Sequence, residues 1–224
     1  MLRKQPPAWV FFGSFSLAFI AGVTNSIGFL GVAHQGMTHV TGTVTLSTIE
    51  LAQGNVMLAV RALTVVGCFF LGAVLSGVII HDSHLRLTRA YGIALLVEGV
   101  LLLGAIVSFR GQSIAGEYFA AAASGLQNAL ATHYSGATLR TTHMTGIVTD
   151  LGSIIGQALR RQTVDWFRFR LYAVLLLGFA TGGTVGGALY PVFHSDALAL
   201  PALYASLLGV GALAWLRGRS AAAA

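Results

Sequence analysis

The chain has 224 residues, 55% of them hydrophobic and only 9% charged, with a mean hydropathy of +0.78. Soluble domains average roughly 25% charged residues, so this composition excludes a water-exposed globule. The formal charge of +6 does not make the chain a nucleic-acid binder, because its basic residues gather at the ends of apolar segments.

Six stretches are free of charge or nearly so: residues 5–49, 62–81, 91–109 with Glu98 alone inside it, 118–139, 171–195 and 197–216. Each is long enough to cross a bilayer core of roughly 30 Å with about 20 helical residues. Continuous apolarity without a period of two excludes a barrel. The fold predicted is all-α and polytopic, a single membrane domain over residues 1–224 with six transmembrane helices. Residues 1–22 resemble a secretory leader, but cleavage after Ala21 would put Phe19 where a small residue is needed, so the segment reads as an uncleaved first span. The single Cys68 lies within the second stretch and has no partner cysteine in the chain. Ser220 to Ala224 read as a tail without a structural task.

Arg3 and Lys4 precede the first span, and Arg86 and Arg89 separate the second from the third. Arg140, Arg160, Arg161, Arg168 and Arg170 separate the fourth from the fifth, and Arg217 and Arg219 follow the sixth. Only Arg61 and Arg110 fall on the other side. Eleven against two predicts cytoplasmic termini, with anionic lipid as the partner of the basic loops.

An internal repeat organises the chain. Gly22-x-x-Asn25 followed by Thr38-His39-Val40-Thr41-Gly42 recurs as Gly125-x-x-Asn128 followed by Thr142-His143-Met144-Thr145-Gly146. The halves are residues 8–109 and 114–216, each holding three spans. An odd repeat must insert in opposite directions, which predicts a 3+3 inverted repeat with a pseudo-two-fold axis in the membrane plane. After each motif comes a helical-period segment, 41–52 and 145–159, too short to span at about 1.5 Å per residue. These segments read as broken or re-entrant half-helices, whose glycines allow a tight entry turn and whose threonines cap exposed amides. The alternative is an amphipathic helix lying on the membrane surface.

These motifs resemble the YoaK-like family of bacterial inner-membrane proteins, the DUF1275 group. The resemblance runs over nearly the whole chain, through Gly22-x-x-Asn25-x-x-Gly28-Phe29, Thr38-His39-x-Thr41-Gly42, Gly125-Leu126-Gln127-Asn128-Ala129 and Arg140-Thr141-Thr142-His143-x-Thr145-Gly146. The chain departs from the family pattern at Asn25, usually Asp, and at Thr43, usually Asn. The resemblance implies the fold and a location in the bacterial inner membrane, and names no substrate.

Two half-helices entering from opposite sides would point their N-termini, with free amides and positive dipole ends, towards the midplane. That is a site for a small polar or anionic solute. Thr38, Thr41, Gly42, Thr142, Thr145 and Gly146 are its candidate contacts, and His39 and His143 could donate to the solute or change protonation as it moves. The same histidines and threonines could instead serve only as internal caps. Asn25 and Asn128 are either interhelical hydrogen-bonding residues or neighbours of the site. Glu98 is the acid nearest the centre of a span, where a charge costs about 2.5–3.5 kcal/mol, and with Asp150 it is the candidate for proton coupling. His81-Asp82-Ser83-His84 reads as a solvated loop rather than a metal site. The chain has no Gly-x-Ser-x-Gly, His-Glu-x-x-His or Walker phosphate loop, which argues against a hydrolase or a self-contained ATP-driven pump. The function predicted is secondary transport or facilitation of a small polar solute, with no cofactor and no metal. A passive channel and an intramembrane enzyme are the alternatives, and oligomeric state, a homo-oligomer included, stays open.

Overall fold

The computed structural model describes residues 8–31, 36–81, 88–134 and 141–221. They form eight α-helices: α1 (Ala8–Leu30), α2 (Val40–Ala52), α3 (Val56–Ile79), α4 (Arg89–Arg110), α5 (Ala115–Tyr134), α6 (Met144–Leu159), α7 (Trp166–Phe193) and α8 (Ala199–Ala221). A 3-10 turn, His194–Leu198, separates the last two. No strand occurs among the described residues. Helix α8 thus continues into the predicted tail. Arg3, Lys4, Arg86 and Arg140 of the basic loops, and Asp82 to His84 of the histidine loop, lie outside the described residues.

Four stretches are long and apolar enough to cross a membrane: Trp9–Leu30, Val56–Ile79, Arg89–Arg110 and the 53-residue Trp166–Gly218, which contains α7 and most of α8. Helix α5, the fourth predicted span, is not among them, its apolar character being diluted by Glu117, Ser124, Gln127 and Asn128. The outward faces carry exposed Phe70, Leu71, Val74 and Val78 on α3 and Val100, Leu103 and Val107 on α4. So much apolar surface turned outward marks a membrane-like helical protein.

Local signals set the element ends. Asp165 caps α7 by accepting from the Arg168 amide at 3.1 Å. Gly54, at φ +83°, makes the tight turn between α2 and α3, a conformation that suits glycine. Ser47 on α2 donates to the Ala59 carbonyl at 3.3 Å and fastens that hairpin.

The long helices pack in pairs through glycine. On α1 and α7, a side chain at Gly22 would strike the Phe179 carbonyl and one at Gly182 the Phe19 carbonyl. On α3 and α5, Gly125 stands in the same way against the Phe69 carbonyl and Gly72 against that of Ala122. On α4 and α8, Gly99 faces the Ala202 carbonyl and Gly209 that of Gly92. Backbones this close gain dispersion contacts that larger residues would forbid.

The spacing of these contacts is regular. Phe19 and Ala122, like Gly22 and Gly125, are 103 positions apart. Phe69 and Phe179, Gly72 and Gly182, Gly92 and Ala202, and Gly99 and Gly209 are each 110 apart. The order of the contacts also gives direction. Phe15 meets Gly178 and Val23 meets Gly186, so α1 and α7 run parallel, whereas the α4 and α8 contacts run antiparallel.

Candidate functional site

Both Thr-His-x-Thr-Gly motifs begin a short helix. His39 and His143 are the N-cap residues of α2 and α6, with closely similar backbone angles (φ −97°, ψ 61° and φ −85°, ψ 58°), and neither side chain caps an amide. The threonines do not cap these helices either, contrary to the sequence expectation. Thr38 donates its hydroxyl and its backbone N–H to Asn25 Oδ1, at 2.9 and 3.2 Å. Thr142 donates its hydroxyl to Asn128 Oδ1 at 3.1 Å. Thr43 and Thr45 donate to the carbonyls of His39 and Thr41, and Thr149 to that of Thr145. Inside a helix the carbonyl one turn back is the nearest partner for a threonine hydroxyl, and it wins over the distant first-turn amides.

The asparagine clasps fix where the short helices start. Asn25 lies five residues before the end of α1 and Asn128 six before the end of α5, about 8 and 9 Å inside those ends at 1.5 Å per residue. Each imidazole folds over its own first turn, so that a side chain at Gly42 would meet the His39 ring and one at Gly146 the His143 ring. These two glycines therefore make room for histidine. Both histidines are exposed, as are Thr41 and Thr145. Helix α2 packs on α3 and α6 on α7, and the two short helices make no contact with each other among the described residues. The two motifs are thus separate structures of the same design.

The candidate acids have different settings. Asp150 is half exposed and accepts from Arg168 at 3.0 Å, the same arginine that donates to Tyr172 at 2.8 Å. Glu98 is 2% exposed, and its Oε2 has no hydrogen-bond partner among the described residues. The two arginines that fall against the charge bias are both neutralised. Arg61 pairs with buried Glu117, and Arg110 makes a two-pronged pair with Asp196 at 2.8 Å for each bond.

Two cavities lie behind the motifs. The larger, 360 Å³, gathers Trp9, Ser14 and Leu17 of α1, Tyr91 of α4, Leu130 of α5 and Thr141. Its walls also include the middle of α8, and no charged residue lines it. The smaller, 20 Å³, lies at the opposite ends of the same helices, between Thr24 and Ile27 of α1, Phe109 of α4, Ala120 of α5, Tyr190 of α7, and Met37. Four lining positions correspond: Leu17 with Ala120, Ile27 with Leu130 and Gly28 with Ala131 are 103 apart, and Met37 with Thr141 is 104 apart. Met37 and Thr141 each immediately precede a motif.

Sequence reasoning missed Thr141 and Gln127 as site residues. Thr141 Oγ1 and Gln127 Nε2 are buried without a hydrogen-bond partner among the described residues. The signal for Gln127 was its place on one helical face with Ala120 and Ala131, seven residues after one and four before the other.

A family model described as a protein of unknown function, DUF1275, matches residues 13–211. No curated protein and no solved structure matches the chain.

Proposed function

We propose that this chain, which belongs to the DUF1275 family, is a secondary transporter or facilitator of a small polar solute. Six spans would be arranged as a 3+3 inverted repeat in a bacterial inner membrane, with both termini cytoplasmic. The observation that carries the reading is the pair of cavities: corresponding positions in the two halves line 360 Å³ of space at one end of the bundle and 20 Å³ at the other.

The inverted repeat draws support from the recurrence of helix contacts at spacings of 103 and 110. It draws more from helix direction. The large cavity collects N-terminal portions of α1, α4 and α7, the C-terminal portion of α5 and the middle of α8, and the small cavity collects the opposite ends of the first four helices with Leu198 just before α8. Helix α3 runs with α5, since Arg61 pairs with Glu117 as Phe69 packs on Gly125. The six long helices then alternate in direction. Neutralisation of Arg61 and Arg110 by acids supports the orientation, since it leaves the unbalanced basic charge at the other end, the end of the large cavity.

On this reading the large cavity faces the cytoplasm and the small one is its closed external counterpart. An inverted repeat in which one of two equivalent cavities is open and the other shut is the geometry of alternating access, and it argues against a continuous pore. The motif residues Thr38, His39, Thr41 and Gly42 with Asn25, and Thr142, His143, Thr145 and Gly146 with Asn128, stand at the two mouths. Glu98 is the proton-coupling group in the interior, and Asp150 serves with Arg168 at the cytoplasmic rim.

Alternation is tested by wedging the small cavity. In a Cys68→Ala background the Thr141→Cys thiol should react with an impermeant reagent from the cytoplasmic side, and Ala120→Phe, which 20 Å³ can hold only by opening, should slow that reaction. An unchanged rate in a monodisperse double variant means that the cavities open independently, and the reading fails.

A further inference from the structure

Between the two cavities Ser16 pairs with Tyr204 and Ser124 with the Ala120 carbonyl, while Glu98 and Gln127 each keep an unpartnered polar atom. Along α4, Tyr91 lines the large cavity and Phe109 the small one. Glu98 follows Tyr91 by seven residues and precedes Phe109 by eleven. Seven and eleven residues are close to two and three whole turns, so the three side chains share one face. Along α5, Ala120 lines the small cavity and Ala131 the large one, and Gln127 lies on the same face by the same arithmetic. The two helices pack antiparallel, with Gly104 against Phe119 and Gly116 against Phe109. That register sets Glu98 level with the turn of Gln127. Leu95 and Leu130 pack together on one side of this level, and Leu102 and Ala123 on the other.

Glu98 is 2% exposed and Gln127 1%, yet Glu98 Oε2 and Gln127 Nε2 have no hydrogen-bond partner among the described residues. A buried amide donor and a buried carboxylate acceptor are each costly to leave unmade. Two such atoms at one level, on the stripes that join the cavities, mark a place that a ligand completes.

We infer that Glu98 and Gln127 are the recognition pair of the solute path, and that they take a small uncharged molecule presenting a donor and an acceptor side by side, as a primary amide does. The solute N–H donates to Glu98 Oε2 while its carbonyl accepts from Gln127 Nε2. A free carboxylate offers only acceptors and would oppose Glu98, and an ammonium offers only donors and would leave the Gln127 amide unpaired. The charge-free walls of the large cavity suit an apolar body behind that head group, and its 360 Å³ lies at the small end of ligand pockets. This assignment rests on the transport reading for its path, and it replaces an anionic solute with a neutral one.

Three probes with one ring and different heads test it: benzamide, benzoate and benzylammonium, titrated calorimetrically into the full chain in lipid nanodiscs. Benzamide should bind saturably, at least tenfold tighter than either ion. Gln127→Met, which keeps the length of the side chain and removes the amide, should weaken benzamide at least tenfold. It should also leave the ligand-free melting temperature unchanged or raised, since no existing hydrogen bond is lost. Glu98→Leu, which removes the acceptor oxygens, should likewise weaken benzamide at least tenfold. Tightest binding of benzylammonium would assign a cation site to Glu98 alone, and tightest binding of benzoate would return the site to the helix starts. Non-saturating heats, or a lowered melting temperature for Gln127→Met with benzamide binding intact, would also overturn the pairing. The measurement uses no gradient, so benzamide binding that depends on Gln127 without exchange across vesicles keeps the pair and removes transport. Exchange of any solute untouched by Gln127→Met does the opposite.

Discussion

Thr38 gives Asn25 both its hydroxyl and its backbone N–H, at 2.9 and 3.2 Å, whereas the matching Thr142 gives Asn128 only its hydroxyl, at 3.1 Å. The first clasp holds the chain at two points and the second at one. Asn25→Ala should therefore destabilise more than Asn128→Ala, by about 1–3 kcal/mol against about 0.5–1.5 kcal/mol, as each lost bond is worth roughly 0.5–1.5 kcal/mol. Thermal melts of the purified variants measure the order, and equal losses would show that the extra amide bond carries no weight.

The glycine crossings make a sharper contrast. Gly22 and Gly182 stand against backbone carbonyls, which cannot rotate away, while Gly67 and Gly187 have open space where a side chain would go. Gly182→Ala and Gly22→Ala should each cost at least about 1–3 kcal/mol, the usual range for overpacking. Gly67→Ala and Gly187→Ala should be neutral or slightly stabilising, because alanine is the better helix former. Melting temperatures that do not separate the two pairs would contradict the close packing of α1 on α7.

How much of this was legible in the sequence depends on the residue. The short helices are expected at 41–52 and 145–159 and observed at Val40–Ala52 and Met144–Leu159, because a repeated motif followed by helical periodicity is a strong local signal. Helix α3 begins at Val56 rather than 62, since pairing with Glu117 lets Arg61 sit inside a helix where an unpaired charge would have ended the apolar stretch. Helix α7 begins at Trp166 rather than 171 for a related reason: Arg168 and Arg170 remain exposed in its first turns. The partners of Thr38 and Thr142 were not legible, because a threonine before a helix looks like a cap whether or not an asparagine lies nearer. Nor were the cavities, which depend on how six separated segments meet.

The two ion pairs opposite the basic loops differ in setting. Glu117 is 1% exposed, and its partner Arg61 is 26% exposed. Glu117→Gln leaves that arginine unpaired in a mostly apolar surrounding and should cost towards the low end of the about 3–5 kcal/mol seen when a buried pair is broken. Arg110 and Asp196 are exposed to solvent on both sides, where ion pairs are screened, and Asp196→Asn should melt with the parent chain. Equal losses in thermal melts would mean that Arg61 reaches water freely.

Exposed residues at the starts of the short helices report topology. Thiols introduced as Thr41→Cys and Thr145→Cys in a Cys68→Ala background lie on exposed first turns, and in oriented vesicles they should react with an impermeant reagent from opposite sides. Reaction of both from one side would remove the inverted repeat, since equivalent motifs in halves of opposite orientation cannot share a face.

Glu98 separates binding from coupling. It is buried in α4 with one carboxylate oxygen unpartnered, and an intramembrane acid of this kind marks a functional position because its charged form is costly there. Glu98→Gln keeps the size and an acceptor oxygen but removes the titration. Counterflow needs only binding and alternation, so exchange of the transported solute between the two sides of a proteoliposome should continue at near the parent rate. Accumulation driven by a pH gradient needs the proton to move with the solute, and the variant has no proton to give at this position, so accumulation should fall to equilibration. A Glu98 that only joins two helices would give another pattern, with both activities near normal after the substitution. Both quantities are read in the same vesicles, and pH-driven accumulation that survives Glu98→Gln assigns coupling to another group.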